Sequence, residues 1–452
     1  MDVQVAREAP KKELTLFDST ALIVGIIIGV GIYQMAPDIA KGVGSWWGVL
    51  VIWALGGVIS LFGALSYAEL AAAYPREGGD YVYLSRAYGR WAGFLFGWIQ
   101  LSVVRPGDIA VIAFAFATYA RSLYDPLANR SGTLTETLYA VAATVVLTII
   151  NVLGVREGKW TQNLLTTAKF LGLLLIVGVA LFAPQGAKPT GAFEPIPASL
   201  AMIFVLFTFG GWNEMAYVAA EVKNPDRNIV RALVLGTAAV TALYLAVNGA
   251  FLYTLGYSGL ATSKAVAVDA VSTVFPRAGG RLIAALVCLS ALGALNGLIF
   301  TGARISYAVG ADHRIFRLLG RWHPRTGTPA AALLVQGAIA VTLIVVLRSY
   351  ATTVLYTAAA VYTFQLATSL GVIVLRWKEP DARRPYRVTG YPVTTIAFCA
   401  ACAFLAYSAI RYKPLIALSS CAIMLLGLPL YWATSRGRGG QHGDERHGPQ
   451  VN

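Results

Sequence analysis

Twelve stretches of this chain are each long and apolar enough to cross a bilayer, which leaves very few folds open to it. They lie near 16–40, 47–73, 91–122, 136–154, 160–183, 198–220, 230–255, 281–309, 329–348, 351–376, 392–411 and 414–433. A hydrocarbon core of ~30 Å needs about 20 apolar residues of helix. No water reaches that core, so each span must satisfy its own backbone polar groups, and continuous apolar runs do so as helices. Only 13% of the 452 residues are charged, against about 25% in a soluble domain. The expected fold is an all-α integral membrane protein of about twelve transmembrane helices.

Charge placement gives the orientation. With an even number of spans both termini share a side. If that side is the cytoplasm, about 24 Lys and Arg lie inside and about 10 outside, with Arg105 and Lys169 left in the membrane. The heaviest loops, 314–325 and 376–387, then face inward. The reading is a multi-pass protein of the plasma (inner) membrane, both termini cytoplasmic. The first apolar run is longer than a signal-peptide core, lacks a small-residue cleavage site and follows a mixed-charge segment ending Lys11-Lys12-Glu13. The net charge of +14 does not imply nucleic acid, because the basic residues sit in short loops rather than in a basic domain.

Four cysteines (Cys288, Cys399, Cys402, Cys421) all fall within apolar segments, and four histidines (His313, His323, His442, His447) fall in loops or the tail. Neither set suggests a disulfide framework, a metal site or a cofactor. Residues 75–90 read as a short amphipathic helix at the cytoplasmic face. The connection 258–280, opening with Ser258-Gly259, reads as an extracellular cap of short helices. The tail after Ser435 reads as disordered.

Two spans are interrupted at their centres. Gly29-Val30-Gly31-Ile32-Tyr33 breaks the first, and Phe209-Gly210-Gly211-Trp212-Asn213 breaks the sixth. Glycine inside a helix costs about 1 kcal/mol relative to alanine. Unwound backbone at membrane depth persists only where it is buried or lines a cavity. Broken helices at corresponding places in two halves of a chain point to a transporter's substrate site. A break creates a helix N-terminus with free N–H groups and a C-terminus with free carbonyls. Amides around Gly29, Val30 and Gly31 suit a carboxylate, and carbonyls of Ile27, Phe207 and Gly210 suit an ammonium. Together they fit the zwitterion of an amino acid, with Gly211 and Asn213 as further candidates from the second break. The plainer alternative is that these glycines only let helices pack closely. The Gly-Val-Gly run is no dinucleotide fingerprint, since no strand precedes it.

Charges inside the spans are costly and need a reason. Lys169, well inside the fifth span, either snorkels to the interface or bonds carbonyls of the broken first helix, where a coupling sodium would otherwise sit. Arg105-Pro106-Gly107-Asp108 interrupts the third span; Arg105 and Asp108 can pair across one turn at a proline kink, or line the pocket. Phe207 is either a lid over the substrate or a packing residue. Glu69 and Glu221, at helix ends, are partners for basic loops or gate groups.

Five stretches carry a wider resemblance: GVGIY (29–33), GALSYAELAAAYPREGGDYVY (63–83), FTFGGWNEMAYVAAEVKNPDRNIVRAL (207–233), LGALNGLIFTGARISYA (292–308) and RPYRV (384–388). With them the chain, over about residues 14–433, resembles the amino acid–polyamine–organocation superfamily, and most closely its L-type amino acid transporter branch. The resemblance implies a LeuT-like fold of two inverted repeats, helices 1–5 (16–183) and 6–10 (198–376), with two further helices (392–433). Residues 1–15 and 434–452 are then cytoplasmic ends. It implies alternating access, usually as sodium-independent exchange of amino acids. It also implies that Val30 and Gly31 hold the carboxylate, that Ile27, Phe207 and Gly210 hold the amino group, and that Phe207 is the gating aromatic. Lys169 matches the family's lysine on helix 5, with Tyr244 on helix 7 as a hydroxyl neighbour.

The chain departs from that pattern in three places. Val30 and Tyr33 replace the serine and phenylalanine of the usual GSGIF. Asp108 stands where a small or hydroxyl residue is usual, which would favour cationic substrates. The stretch 123–135 has no cysteine, so a disulfide to a heavy subunit is not expected. The expected function is a secondary amino acid transporter, an exchanger or facilitator. The competing readings are a proton-coupled symporter and, less favoured, a non-transporting sensor. Nothing in the spans resembles a nucleophile–base set, so an enzyme is not expected.

Overall fold

The computed structural model describes residues 15–74, 78–127, 132–154, 159–183, 192–213, 222–276, 278–312, 316–323 and 326–435. Residues 1–14, Glu221 and the tail after Ser435 lie outside them. Among the described residues the regular elements are helical, apart from one isolated β-bridge between His323 and Thr328.

The first span is divided into α1 (Leu16–Ile27) and α2 (Gly31–Gln34), followed by α3 (Ala36–Lys41). Then come α4 (Trp46–Ala73), the short α5 (Asp80–Tyr88), and a third span made of α6 (Arg90–Ile99), a π-helical turn (Gln100–Val104) and α7 (Arg105–Leu123). The first half of the chain closes with α8 (Gly132–Val152) and α9 (Lys159–Ala180). The second half runs α10 (Ala198–Thr208), α11 (Pro225–Thr262), α12 (Val266–Ser272), α13 (Ala278–Asp312), α14 (Ala330–Leu347) and α15 (Tyr350–Lys378). Two last helices follow, α16 (Val393–Tyr412) and α17 (Pro414–Ser435). Among the described residues, ten segments are long and apolar enough to cross a membrane, and Lys169–Ala180 and Ala198–Thr208 are shorter apolar helices. This is the all-α, multi-pass architecture expected.

Local chemistry sets the helix ends. Thr15 and Asp18 form a reciprocal capping box at the start of α1, with the Asp18 amide donating to the Thr15 hydroxyl at 3.3 Å and the Thr15 amide to the Asp18 carboxylate at 3.0 Å. The Ser45 hydroxyl accepts the Gly48 amide at 3.1 Å and starts α4. The irregularity expected at Pro106 shows in the turn before it. Proline has no N–H to donate, and the chain absorbs this with a π-helical turn in which the Arg105 amide reaches back to the Gln100 carbonyl. The long helix breaks at Gly256 (φ 68°), and a short helical stretch to Thr262 and then α12 follow, which are the short helices expected over 258–280.

At the centre α7 packs against α8, α13, α14 and α15, while α4 packs on α11 and α16, and α1 on α11. Three buried hydroxyls in the bundle, those of Thr144, Thr208 and Thr254, donate to carbonyls four residues back in their own helices. That satisfies them without water.

One end of the bundle is closed by ion pairs. Glu69 on α4 is 2% exposed. It takes a two-pronged contact from Arg376 of α15 (2.8 and 2.5 Å) and the Val388 amide at 2.7 Å, with the Arg384 Nε 3.7 Å away. Asp80 on α5 is buried and accepts the hydroxyls of Tyr67 (2.5 Å) and Thr368 (2.7 Å), so α4, α5 and α15 are pinned together. Glu69 is thus a partner of the basic segment after α15.

Nearby, the Glu379 carboxylate accepts from Arg86 at 2.7 Å and from the Tyr74 hydroxyl at 3.0 Å. The Arg86 hydrogen bond, with help from Tyr74, holds the Glu379 carboxyl below its ordinary value of 4.5. A depressed carboxylate contributes stability above its unfolded value and loses it as pH falls through the folded one. The wild type should therefore lose an increment of at most ~1 kcal/mol as pH falls below the ordinary glutamate value. Thermal unfolding at neutral and acidic pH checks this: Glu379→Gln should be less stable at neutral pH and should lack that part of the acid loss.

Candidate substrate-binding site

The two breaks lie against each other. In the first, α1 stops at Ile27, and the Gly29 amide turns back onto the Ile27 carbonyl at 2.7 Å. The gap is narrower than the glycine run implies, because Gly31 already begins α2. The amides of Val30, Gly31 and Ile32 donate to no acceptor among the described residues, and Val30 and Ile32 are fully buried. They are the open N-terminus of α2, the kind of group that attracts a carboxylate.

In the second break, α10 stops at Thr208. The Gly210 amide donates to the Phe207 carbonyl at 3.0 Å, and Gly211 adopts φ +101°. A side chain at Gly211 would be strained by that backbone and would meet Ile26 Cγ2 at 2.7 Å. A Cβ on Gly31 would lie 3.0 Å from the Thr208 hydroxyl oxygen. Close approach of the two unwound segments therefore requires glycine on both sides. Trp212 is buried and Asn213 half-buried just beyond.

Tyr244 of α11 joins the breaks. Its buried hydroxyl lies 2.9 Å from the Ile27 carbonyl and 3.3 Å from that of Thr208, within donating reach of both. The ring is held by Trp53 (5.3 Å between centroids) and Phe209 (5.1 Å). The Ile27 carbonyl thus already accepts two donors, so an ammonium arriving there shares it with Tyr244. The Gly210 carbonyl accepts nothing among the described residues.

The other expected residues are more dispersed. Phe207 is half-buried and meets Tyr350 of α15 edge-on at 6.5 Å. Arg105 is buried and Asp108 half-buried on the first turn of α7. Lys169 on α9 is half-buried, and its ammonium has no hydrogen-bond or ion-pair partner among the described residues. It is the Lys169 carbonyl that is used, accepting the Tyr33 hydroxyl at 3.1 Å. The Ile27 carbonyl of the broken helix is reached here by the Tyr244 hydroxyl. Trp53, Thr208 and Tyr119 escaped sequence reasoning because a buried aromatic or threonine on an apolar helix carries no distinctive local signal.

The two helix breaks thus pack together and leave amides open. Residues 14–428 match the family described as "Amino acid permease". The chain belongs to that family. It is 31% identical to human "b(0,+)-type amino acid transporter 1" over 431 residues, 93% of this chain and 88% of that protein. It is 33% identical to rat "Large neutral amino acids transporter small subunit 2" over 443 residues, 94% of this chain and 81% of the relative. This permease is therefore an amino acid transporter of the membrane and not an enzyme.

Proposed function

We propose that this permease is a sodium-independent exchanger of amino acids working by alternating access. The observation that carries the proposal is the joined pair of helix breaks, with the open amides of Val30 and Gly31 facing one charge of a zwitterion and nearby carbonyls the other. Amides of Val30 and Gly31 receive the carboxylate, with Gly29 supplying the turn that exposes them. Carbonyls of Ile27, Phe207 and Gly210 receive the ammonium, Gly211 and Asn213 shape the edge, and Phe207 moves as the gate. The halves 16–183 and 198–376 form the inverted repeats, which is why the breaks fall in the first helix of each. Residues 392–433 add two helices outside the repeats.

Lys169 supplies the cation that sodium supplies elsewhere. The half-buried ammonium, unpartnered among the described residues, supports this. The names of the relatives support amino acids as substrate, and the bias of Lys and Arg toward one set of loops supports cytoplasmic termini in the plasma membrane. The rat relative is named a small subunit. This chain works without a disulfide-linked heavy subunit, since the stretch 123–135 offers no cysteine.

Uptake of a panel of radiolabelled amino acids into proteoliposomes, with neither sodium nor a pH gradient, tests the reading. Uptake only into amino-acid-loaded vesicles is expected. Uptake that waits for sodium or a proton gradient overturns it. Lys169→Ala should slow exchange while substrate binding changes less, and unaltered transport kinetics would exclude Lys169 from coupling.

A further inference from the structure

Tyr33 stands where the usual GSGIF motif carries phenylalanine, so its hydroxyl is an addition to that pattern. It is used. The side chain is buried (2% exposed), and its hydroxyl donates to the Lys169 carbonyl at 3.1 Å. The Tyr33 carbonyl in turn accepts the hydroxyl of Tyr119, on α7, at 2.7 Å. The outer half of the broken first helix is therefore gripped at one residue from two neighbouring helices.

The α9 surface is shaped for this contact. A helix carbonyl points toward the residues three and four positions on, and side chains there normally cover it. Three positions after Lys169 stands Gly172, buried, where an added Cβ would lie 3.1 Å from the Tyr33 hydroxyl oxygen. The missing side chain leaves the second lone pair of the Lys169 carbonyl open to a donor from outside the helix.

We propose that Tyr33 is a positioning residue: its hydroxyl ties the outer half of helix 1 to the turn of helix 5 that carries Lys169, and Gly172 leaves the space it needs. Any movement of helix 1 against its neighbours must then take that turn of helix 5 along or break this bond. The tie sets where the Lys169 backbone stands when the site opens and closes. The assignment rests on the transporter reading for its kinetic consequence, but the contact can be tested without it.

The test is a double-mutant cycle of Tyr33→Phe, Gly172→Ala and both together. Melting of the purified protein in detergent tests the contact. Gly172→Ala should lower the melting temperature in wild type, and should cost little once Tyr33→Phe has removed the hydroxyl. An equal cost of Gly172→Ala in both backgrounds, including failure to fold in both, overturns the pairing. Exchange of radiolabelled leucine or arginine, whichever the wild type carries, tests the positioning. Tyr33→Phe should change the maximal exchange rate by about 2- to 10-fold with little change in KM, the factor that one hydrogen bond commands. Wild-type kinetics in Tyr33→Phe, or a change confined to KM, overturns it. A wild type that exchanges neither amino acid counts against the exchanger reading, and the melting cycle still decides the contact.

Discussion

Glu69→Ala is expected to destabilise the permease by about 3 kcal/mol or more, the cost of breaking a buried ion pair by deleting one partner. Glu69 is 2% exposed, and Arg376 and Arg384 both point their guanidinium groups at it. Removing the carboxylate leaves these cations facing each other and strips the Val388 amide of its acceptor. Glu69→Gln keeps the shape but not the charge, so it should recover part of the packing and little of the ion pairing. Thermal unfolding of the purified variants measures both. A melting temperature unchanged in Glu69→Ala would show that the pairing contributes nothing net. Transport should fall with the amount of folded protein, since the hydrogen bonds and ion pairs of Glu69 go to Arg376, Arg384 and Val388 and not to the broken segments.

Tyr244→Phe is expected to do the reverse, costing activity more than stability. The ring keeps its contacts with Trp53 and Phe209, but the carbonyls of Ile27 and Thr208 lose the hydroxyl they share. The Ile27 carbonyl keeps the Gly29 amide, so the loss falls on Thr208; a buried group left without a partner costs ~1–3 kcal/mol, and exchange should fall by about 10- to 100-fold if the closed, substrate-loaded site bears that cost. Counterflow into loaded proteoliposomes reads this directly. Exchange indistinguishable from wild type would mean that the two carbonyls need no such bridge.

Much of the architecture was legible beforehand because membrane helices announce themselves. Each needs about 20 apolar residues, so spans and their order follow from hydropathy. Glycine runs inside two of them marked the breaks, because unwinding at depth has few other sequence causes. The edges were less legible. The break in the first span is shorter than its glycine run, since Gly31 takes up helix with Ile32 and Tyr33. The proline in the third span predicted a kink, and the chain answers with a π-helical turn just before it. Both outcomes depend on which neighbouring carbonyls remain free, and spacing alone does not specify that.

By itself the sequence determined that this chain crosses the membrane many times as helices, and which two helices are broken. The family motifs within those helices determined its kinship to amino acid permeases. Only the tertiary structure decided that the breaks touch, with Gly31 against Thr208 and Gly211 against Ile26. It also decided that Tyr244 reaches their carbonyls, and that the Tyr33 hydroxyl finds the bare carbonyl beside Gly172. The reason is one of range. Hydropathy and helix breaking act over a few neighbouring residues, whereas a buried hydroxyl's partner lies on another helix, 136 positions away for Tyr33 and 217 for Tyr244. Packing of the whole bundle, not local preference, brings them together.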